Sequence, residues 1–156
     1  MRRLGIFLPV LLLSMFASAQ EQPATAAASA GADGGKATVY IYRYKQFVGA
    51  ALEPSVFCDD TALARMDNGR YFMAKIDPGK HLFRSNDKQS GVELDLKSGQ
   101  EYFLRVEIAT GFMKGHGRLL LVAPEQGKYE LKSSKLKPLD QDKVADAARV
   151  SVAEVQ

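Results

Sequence analysis

The chain is poor in the residues that usually carry chemistry: it has one cysteine and two histidines among 156 residues. A single cysteine, Cys58, cannot close a disulfide within the chain, so stability must come from a packed core rather than covalent staples. In Val56-Phe57-Cys58-Asp59 it alternates with Phe57 along a strand-like stretch, and cysteine packs as a small hydrophobe. An inert, buried thiol is expected, with an interchain disulfide as the alternative. His81 and His116 stand 35 residues apart without a compact set of further ligands. Zinc sites draw on three or four, so no metal centre and no cofactor is expected. Asp59-Asp60 and Asp67-Asn68 lack the alternating oxygen ligands of a calcium loop and read as turns. No serine sits in a Gly-x-Ser-x-Gly elbow. The glycine-rich stretch Gly111 to Gly117 lacks a Gly-Lys-Ser/Thr ending and a following helix to receive a phosphate. The expectation is a protein without catalytic residues; a hydrolase using His81 or His116 as its base is the alternative.

Charge of one sign is also lacking once the N-terminus is considered. Met1-Arg2-Arg3, the apolar run Leu4 to Phe16 and Ala17-Ser18-Ala19 form the basic, apolar and small-residue parts of a secretory signal peptide. The apolar run falls short of the about 20 residues a spanning helix needs, and no later run is long enough. Gln20 follows the expected cleavage site where a lipoprotein would carry cysteine. Residues 1–19 are therefore expected to be removed, leaving an exported, soluble chain without a lipid anchor, periplasmic or secreted. Loss of Arg2 and Arg3 lowers the net charge from +3 to +1. A nearly neutral chain has no electrostatic footprint for nucleic acid. Residues 20–36 are Ala- and Gly-rich with no large apolar side chain, which reads as a flexible spacer.

What is there is strand pattern. Thr38 to Tyr44 is β-branched and aromatic, and its period of two puts Val39, Ile41 and Arg43 on one face and Tyr40, Tyr42 and Tyr44 on the other. Ser55 to Cys58, Leu63 to Met66, Arg70 to Ile76 and His81 to Arg84 read as further short strands between turns. Asp77-Pro78-Gly79-Lys80 places proline and glycine where a type II turn needs them. Val92, Leu94 and Leu96 alternate with charged residues, as do Tyr102, Leu104, Val106 and Ile108; with Ser98-Gly99-Gln100 between them, the expectation is an antiparallel hairpin with one wet face. Leu119 to Ala123 reads as a strand buried on both faces. Pro124 and Glu125 suit the first turn of a helix, with Tyr129, Leu131 and Leu136 as its packing stripe. The predicted fold is all-β, an antiparallel β-sandwich of about seven short strands over residues 37–139 with a short C-terminal helix. Residues 140–156 are expected as a loosely held tail or a marginal helix.

Two places are candidates for binding. Tyr40, Tyr42 and Tyr44 on one strand face form an aromatic platform for a glycan or peptide, since tyrosine joins contact area to a polar tip; packing in the sandwich is the competing reading. Phe112, Lys114 and His116 sit in the glycine-rich connection, where loops carry function. An envelope protein meeting an exposed strand edge is a further partner class.

Val39-Tyr40-Ile41-Tyr42-Arg43, Phe47-Val48-Gly49 with Pro54-Ser55-Val56, Asn68-Gly69-Arg70-Tyr71-Phe72 and Ile76-Asp77-Pro78-Gly79-Lys80-His81 carry a resemblance. From Ala37 to about Leu136 the chain resembles a bacterial family catalogued as a domain of unknown function, number 2846. The last segment also looks like the strand-turn-strand unit of PEGA-type surface modules. The resemblance implies a small exported β-sandwich, often tied to the envelope, and carries over no catalytic residues. Many relatives look like lipoproteins, whereas this chain lacks the lipid-bearing cysteine.

Overall fold

The period-two stretches form strands, and the apolar face of each turns inward. The computed structural model describes residues 35–87, 90–110, 115–146 and 148. In chain order the strands are β1 (Ala37–Tyr42), β2 (Ser55–Cys58), β3 (Thr61–Arg65), β4 (Arg70–Ile76), β5 (Gly79–Arg84), β6 (Gly91–Leu96), β7 (Glu101–Thr110) and β8 (Gly115–Val122). Helix α1 (Pro124–Ser133) follows, then the two-residue β9 (Lys137–Pro138). One sheet runs β8-β7-β1-β4-β9 and the other β3-β2-β5-β6. The expected all-β sandwich with a C-terminal helix is what forms. Two pairings, β1 with β7 and β4 with β9, are parallel, so the first sheet is mixed rather than wholly antiparallel.

The core lies between the sheets. Val39 and Ile41 from β1, Phe72 from β4 and Leu104 and Val106 from β7 meet Val56, Phe83, Leu94 and Leu96 from the other sheet. Each fully buried side chain of this size contributes about 1.5–3 kcal/mol relative to exposure, which replaces the missing disulfides.

The expected hairpin of Val92–Leu96 with Tyr102–Ile108 does not form: β6 pairs with β5 and β7 pairs with β1 and β8. The turn between them carries the chain from one sheet to the other. Alternation reports which face of a strand is apolar, and both strands point that face into the same core from opposite sides. The Tyr102 hydroxyl braces the crossing, accepting from the Lys97 N–H at 2.9 Å and donating to the Asp95 carbonyl at 3.2 Å. The Pro78–Gly79 turn also crosses between sheets, with Gly79 at φ +140, a conformation open to glycine.

Three other expectations need correction. Strand β8 is not buried on both faces, because Leu121 is 53% exposed at the edge of its sheet. Tyr129 is not part of the helix stripe; it points to solvent, while Leu131 and Leu136 pack on the sheet. Residues 140–148 are not simply a loose tail, since Val144 and Ala148 are buried in the core and the Ala145 N–H donates to the Leu63 carbonyl at 2.8 Å.

Alternation also aims Arg43 inward, where it is fully buried. Its guanidinium donates to the carbonyls of Leu52 at 2.5 Å, Gly49 at 2.7 Å and Met66 at 3.2 Å, pinning the connection between β1 and β2. Burial lowers its pKa, opposed by the carboxylate of Asp67. Among the described residues Nε has no partner, so three carbonyls and the nearby Asp67 carboxylate compensate this buried charge.

Candidate functional site

The tyrosine face of β1 lies on the outside of the first sheet, under α1. The helix begins at Pro124, whose fixed φ suits the first turn. It docks through Gly127 and Glu130, its buried residues. A Cβ on Gly127 would run into the Phe103 ring, so only glycine permits this approach. Glu130 accepts hydrogen bonds from the Tyr42 hydroxyl, from Arg105 Nη1 at 2.9 Å and from Gln126 Nε2 at 2.6 Å. Burial works to raise the Glu130 pKa, but hydrogen bonds from Tyr42, Gln126, Tyr44 and Arg105 outweigh it and hold the carboxyl below its usual range. Burial first, then Glu130, pushes the Tyr42 hydroxyl up.

The three tyrosines therefore have separate roles. Tyr42 is fully buried. Tyr44 packs edge-on against Tyr42, with centroids 6.0 Å apart, and carries the Arg105 guanidinium 5.5 Å above its ring. Tyr40 stacks on Phe103 with centroids 4.9 Å apart and rings 6° from parallel. These two rings form the floor of a groove of about 410 Å³ between α1 and the sheet, with Tyr71, Leu131 and Leu136 along it and Lys128 and Lys132 at the helix rim. Lys128 pairs with Glu101 at 3.0 Å. Phe103 was absent from the sequence-based platform; it lies beside Tyr40 because β7 runs parallel to β1 with Tyr40 opposite Phe103.

A second constellation forms at the opposite sheet. Cys58 pairs with Phe83 across β2 and β5, which puts His81, two residues along, at the diagonal position on the same face. Cys58 Sγ lies 3.7 Å from His81 Nδ1, and Asp59 Oδ2 lies 2.9 Å from the same nitrogen. His81 Nε2 faces the Asp77 carbonyl at 3.0 Å. Asp59 sits at φ +53 in the β2–β3 turn. Its N–H donates to the Leu82 carbonyl at 2.8 Å and its Oδ1 accepts from the Leu82 N–H at 2.9 Å. The three side chains border a cleft of about 230 Å³ that Lys36, Thr61 and Lys75 also line.

These are the residue types of a cysteine–histidine–aspartate triad, but the wiring is different. A triad needs the nucleophile and the acid on opposite ring nitrogens of histidine, so that a proton can pass through. Here Cys58 and Asp59 share Nδ1. Burial, with the neighbouring Asp59 carboxylate, pushes the Cys58 thiol up to about 12, away from the thiolate a nucleophile requires.

Of the loop residues expected to bind, Phe112 and Lys114 lie outside the described residues, as do the expected signal peptide and spacer up to residue 34. His116 is exposed on β8 opposite Ala109, beside a pocket shared with Leu52, Pro54 and Ile108. It lies apart from the tyrosine groove and from His81. No helix among the described residues is long and apolar enough to cross a membrane.

The architecture is that of a small two-sheet β domain with one helix docked on an outer face. Residues 33–117 match the family described as protein of unknown function (DUF2846), and the chain belongs to that family. An uncharacterized protein of Haemophilus influenzae is 30% identical over 132 residues, covering 81% of this chain and 78% of its own length. The matched stretch contains Cys58, Asp59 and His81; α1 with Glu130 lies beyond it.

Proposed function

We propose that the protein is an exported, non-enzymatic binding module of the bacterial envelope, and that its ligand is a small acidic glycan or peptide held in the groove between α1 and the first sheet. The observation that carries this reading is the Tyr40–Phe103 stack at the groove floor. Phe103, 1% exposed, backs the half-buried Tyr40, and the aromatic surface that Tyr40 leaves open suits a sugar face or a peptide side chain. The groove volume, about 410 Å³, falls in the range of small-ligand sites, roughly 300–1,000 Å³. Lys132 at the rim favours a carboxylate on the ligand, while Lys128 is engaged by Glu101. Export rests on the leader-like residues 1–19 and on the likeness to envelope β modules. A non-enzymatic role is supported by the unactivated Cys58 and the shared Nδ1 contact.

Thermal shift of the purified protein against neutral and acidic envelope glycans and peptides tests the binding reading. Acidic members should raise the melting temperature, and both Tyr40→Ala and the exposed-rim change Lys132→Glu should abolish the shift. No shift with any member, or shifts unchanged in both variants, overturns it. N-terminal sequencing of the protein from a periplasmic or culture-medium fraction should begin at Gln20; recovery of an intact Met1 in the cytoplasm refutes export.

A further inference from the structure

We propose that Cys58, Asp59 and His81 form a site for one divalent transition-metal ion of the zinc class, with the fourth position open to the cleft. The three donor atoms all lie within 4.8 Å of one another. Zinc bonds of about 2.0–2.3 Å place tetrahedral ligand atoms about 3.3–3.6 Å apart. The separations here are 2.9 Å for His81 Nδ1 to Asp59 Oδ2, 3.7 Å for His81 Nδ1 to Cys58 Sγ and 3.9 Å for Cys58 Sγ to Asp59 Oδ2. Shifts of a few tenths of an ångström bring all three onto one ion.

The surroundings orient each donor. The Asp77 carbonyl can only accept, so His81 Nε2 carries a hydrogen, and Nδ1 is the nitrogen turned toward Asp59 and Cys58. A backbone carbonyl on the far nitrogen is the usual outer partner of a metal-bound histidine. Asp59 has its Oδ1 held by the Leu82 N–H, which leaves Oδ2 for the ion. Nδ1 and a carboxylate oxygen 2.9 Å apart need a proton or a metal ion between them. A proton there serves two of the three groups; a metal ion serves all three. Binding forms the sulfur–metal bond as the Cys58 thiol proton leaves to solvent. Sulfur, nitrogen and oxygen together suit zinc better than the all-oxygen sets of calcium or magnesium. The open position faces the cleft beside Thr61, where water or an anionic ligand completes the coordination.

Titration with cobalt(II) and with zinc, the latter in competition with a chromophoric chelator, tests the site. One equivalent of cobalt should bind with a thiolate-to-metal charge-transfer band and tetrahedral visible absorption. Zinc should displace it and raise the melting temperature. His81→Gln and Asp59→Asn should each weaken zinc binding, on the order of 100-fold for a lost or misoriented ligand, while His116→Gln binds as the parent does. Asp59→Asn keeps a side-chain oxygen to accept from the Leu82 N–H, so it gives a folded readout if His81→Gln does not fold. A cobalt spectrum without the thiolate band, or Asp59→Asn binding zinc like the parent, overturns the proposal. Loss of binding in His116→Gln also overturns it by placing the metal elsewhere. The site is separate from the tyrosine groove, so failure of either reading leaves the other standing.

Discussion

Glu130→Ala removes the acceptor at the centre of the helix-docking network, and its cost can be built from the groups left behind. The Tyr42 hydroxyl, fully buried, loses its acceptor, which costs about 1–3 kcal/mol. Arg105 loses its contacts at 2.9 and 3.1 Å but keeps Glu107 at 3.0 Å, so about 1–2 kcal/mol is added. Gln126 is exposed and rehydrates at little cost. The total, about 2–5 kcal/mol, overlaps the roughly 3–5 kcal/mol for breaking a buried ion pair and is a large part of a typical stability of about 5–15 kcal/mol. Glu130→Gln keeps an oxygen for Tyr42 and should cost less, about 1–2 kcal/mol. Urea unfolding at pH 7 measures both, followed by tyrosine emission because the chain has six tyrosines and no tryptophan. The pH dependence has a definite sign. Glu130 titrates below its usual range in the folded chain, so its contribution is complete above the unfolded value of about 4.3 and fades as pH falls through the lower folded value. The gap between parent and Glu130→Ala should therefore narrow from pH 7 toward pH 3. An alanine variant within about 0.5 kcal/mol of the parent, the usual spread for surface changes, refutes the reasoning; so does a gap that stays constant with pH.

Gly127→Ala should destabilise by about 1 kcal/mol in thermal melts: alanine gains about 1 kcal/mol in helix propensity, but overpacking against Phe103, typically about 1–3 kcal/mol, outweighs it. A more stable alanine variant would show that the helix does not sit this close. Arg43→Met should release the connection held at Gly49 and Leu52, lowering stability by about 2–3 kcal/mol and opening residues 47–52 to limited proteolysis; an unchanged digestion pattern counts against the pin. Ending the chain after Leu139 should cost about 2–3 kcal/mol by exposing the surfaces that Val144 and Ala148 cover, and unchanged urea unfolding would mean that residues 140–148 do not support the core.

The strands were legible because Val39 and Ile41, or Leu94 and Leu96, repeat with a period of two that few other conformations satisfy. Their partners were not. The turn at Ser98-Gly99-Gln100 looks the same whether it joins neighbours in one sheet or crosses between two, and the Tyr102 brace that distinguishes them depends on tertiary contact. The helix was legible from Pro124, and Leu131 and Leu136 pack as expected, but the closest contact was not legible, since it runs through Gly127 and Glu130. Tyr129 was misplaced for that reason. The Cys58–His81 contact follows from strand register: 23 residues separate the two, and only the pairing of β2 with β5 makes them neighbours.

The central position of β1 also governs when the fold can assemble. Its partners are β4 and, in parallel, β7, with Thr38 opposite Glu101. As the chain emerges from its N-terminal end, β1 must wait for about two-thirds of the domain before its second neighbour exists. Pairings this distant in sequence carry loop-closure entropy that is met before any contact compensates it. A chain that stops short of β7 thus leaves one hydrogen-bonding edge of β1 unpaired. The structure favours completion in one late, cooperative step, with no stable N-terminal half along the way.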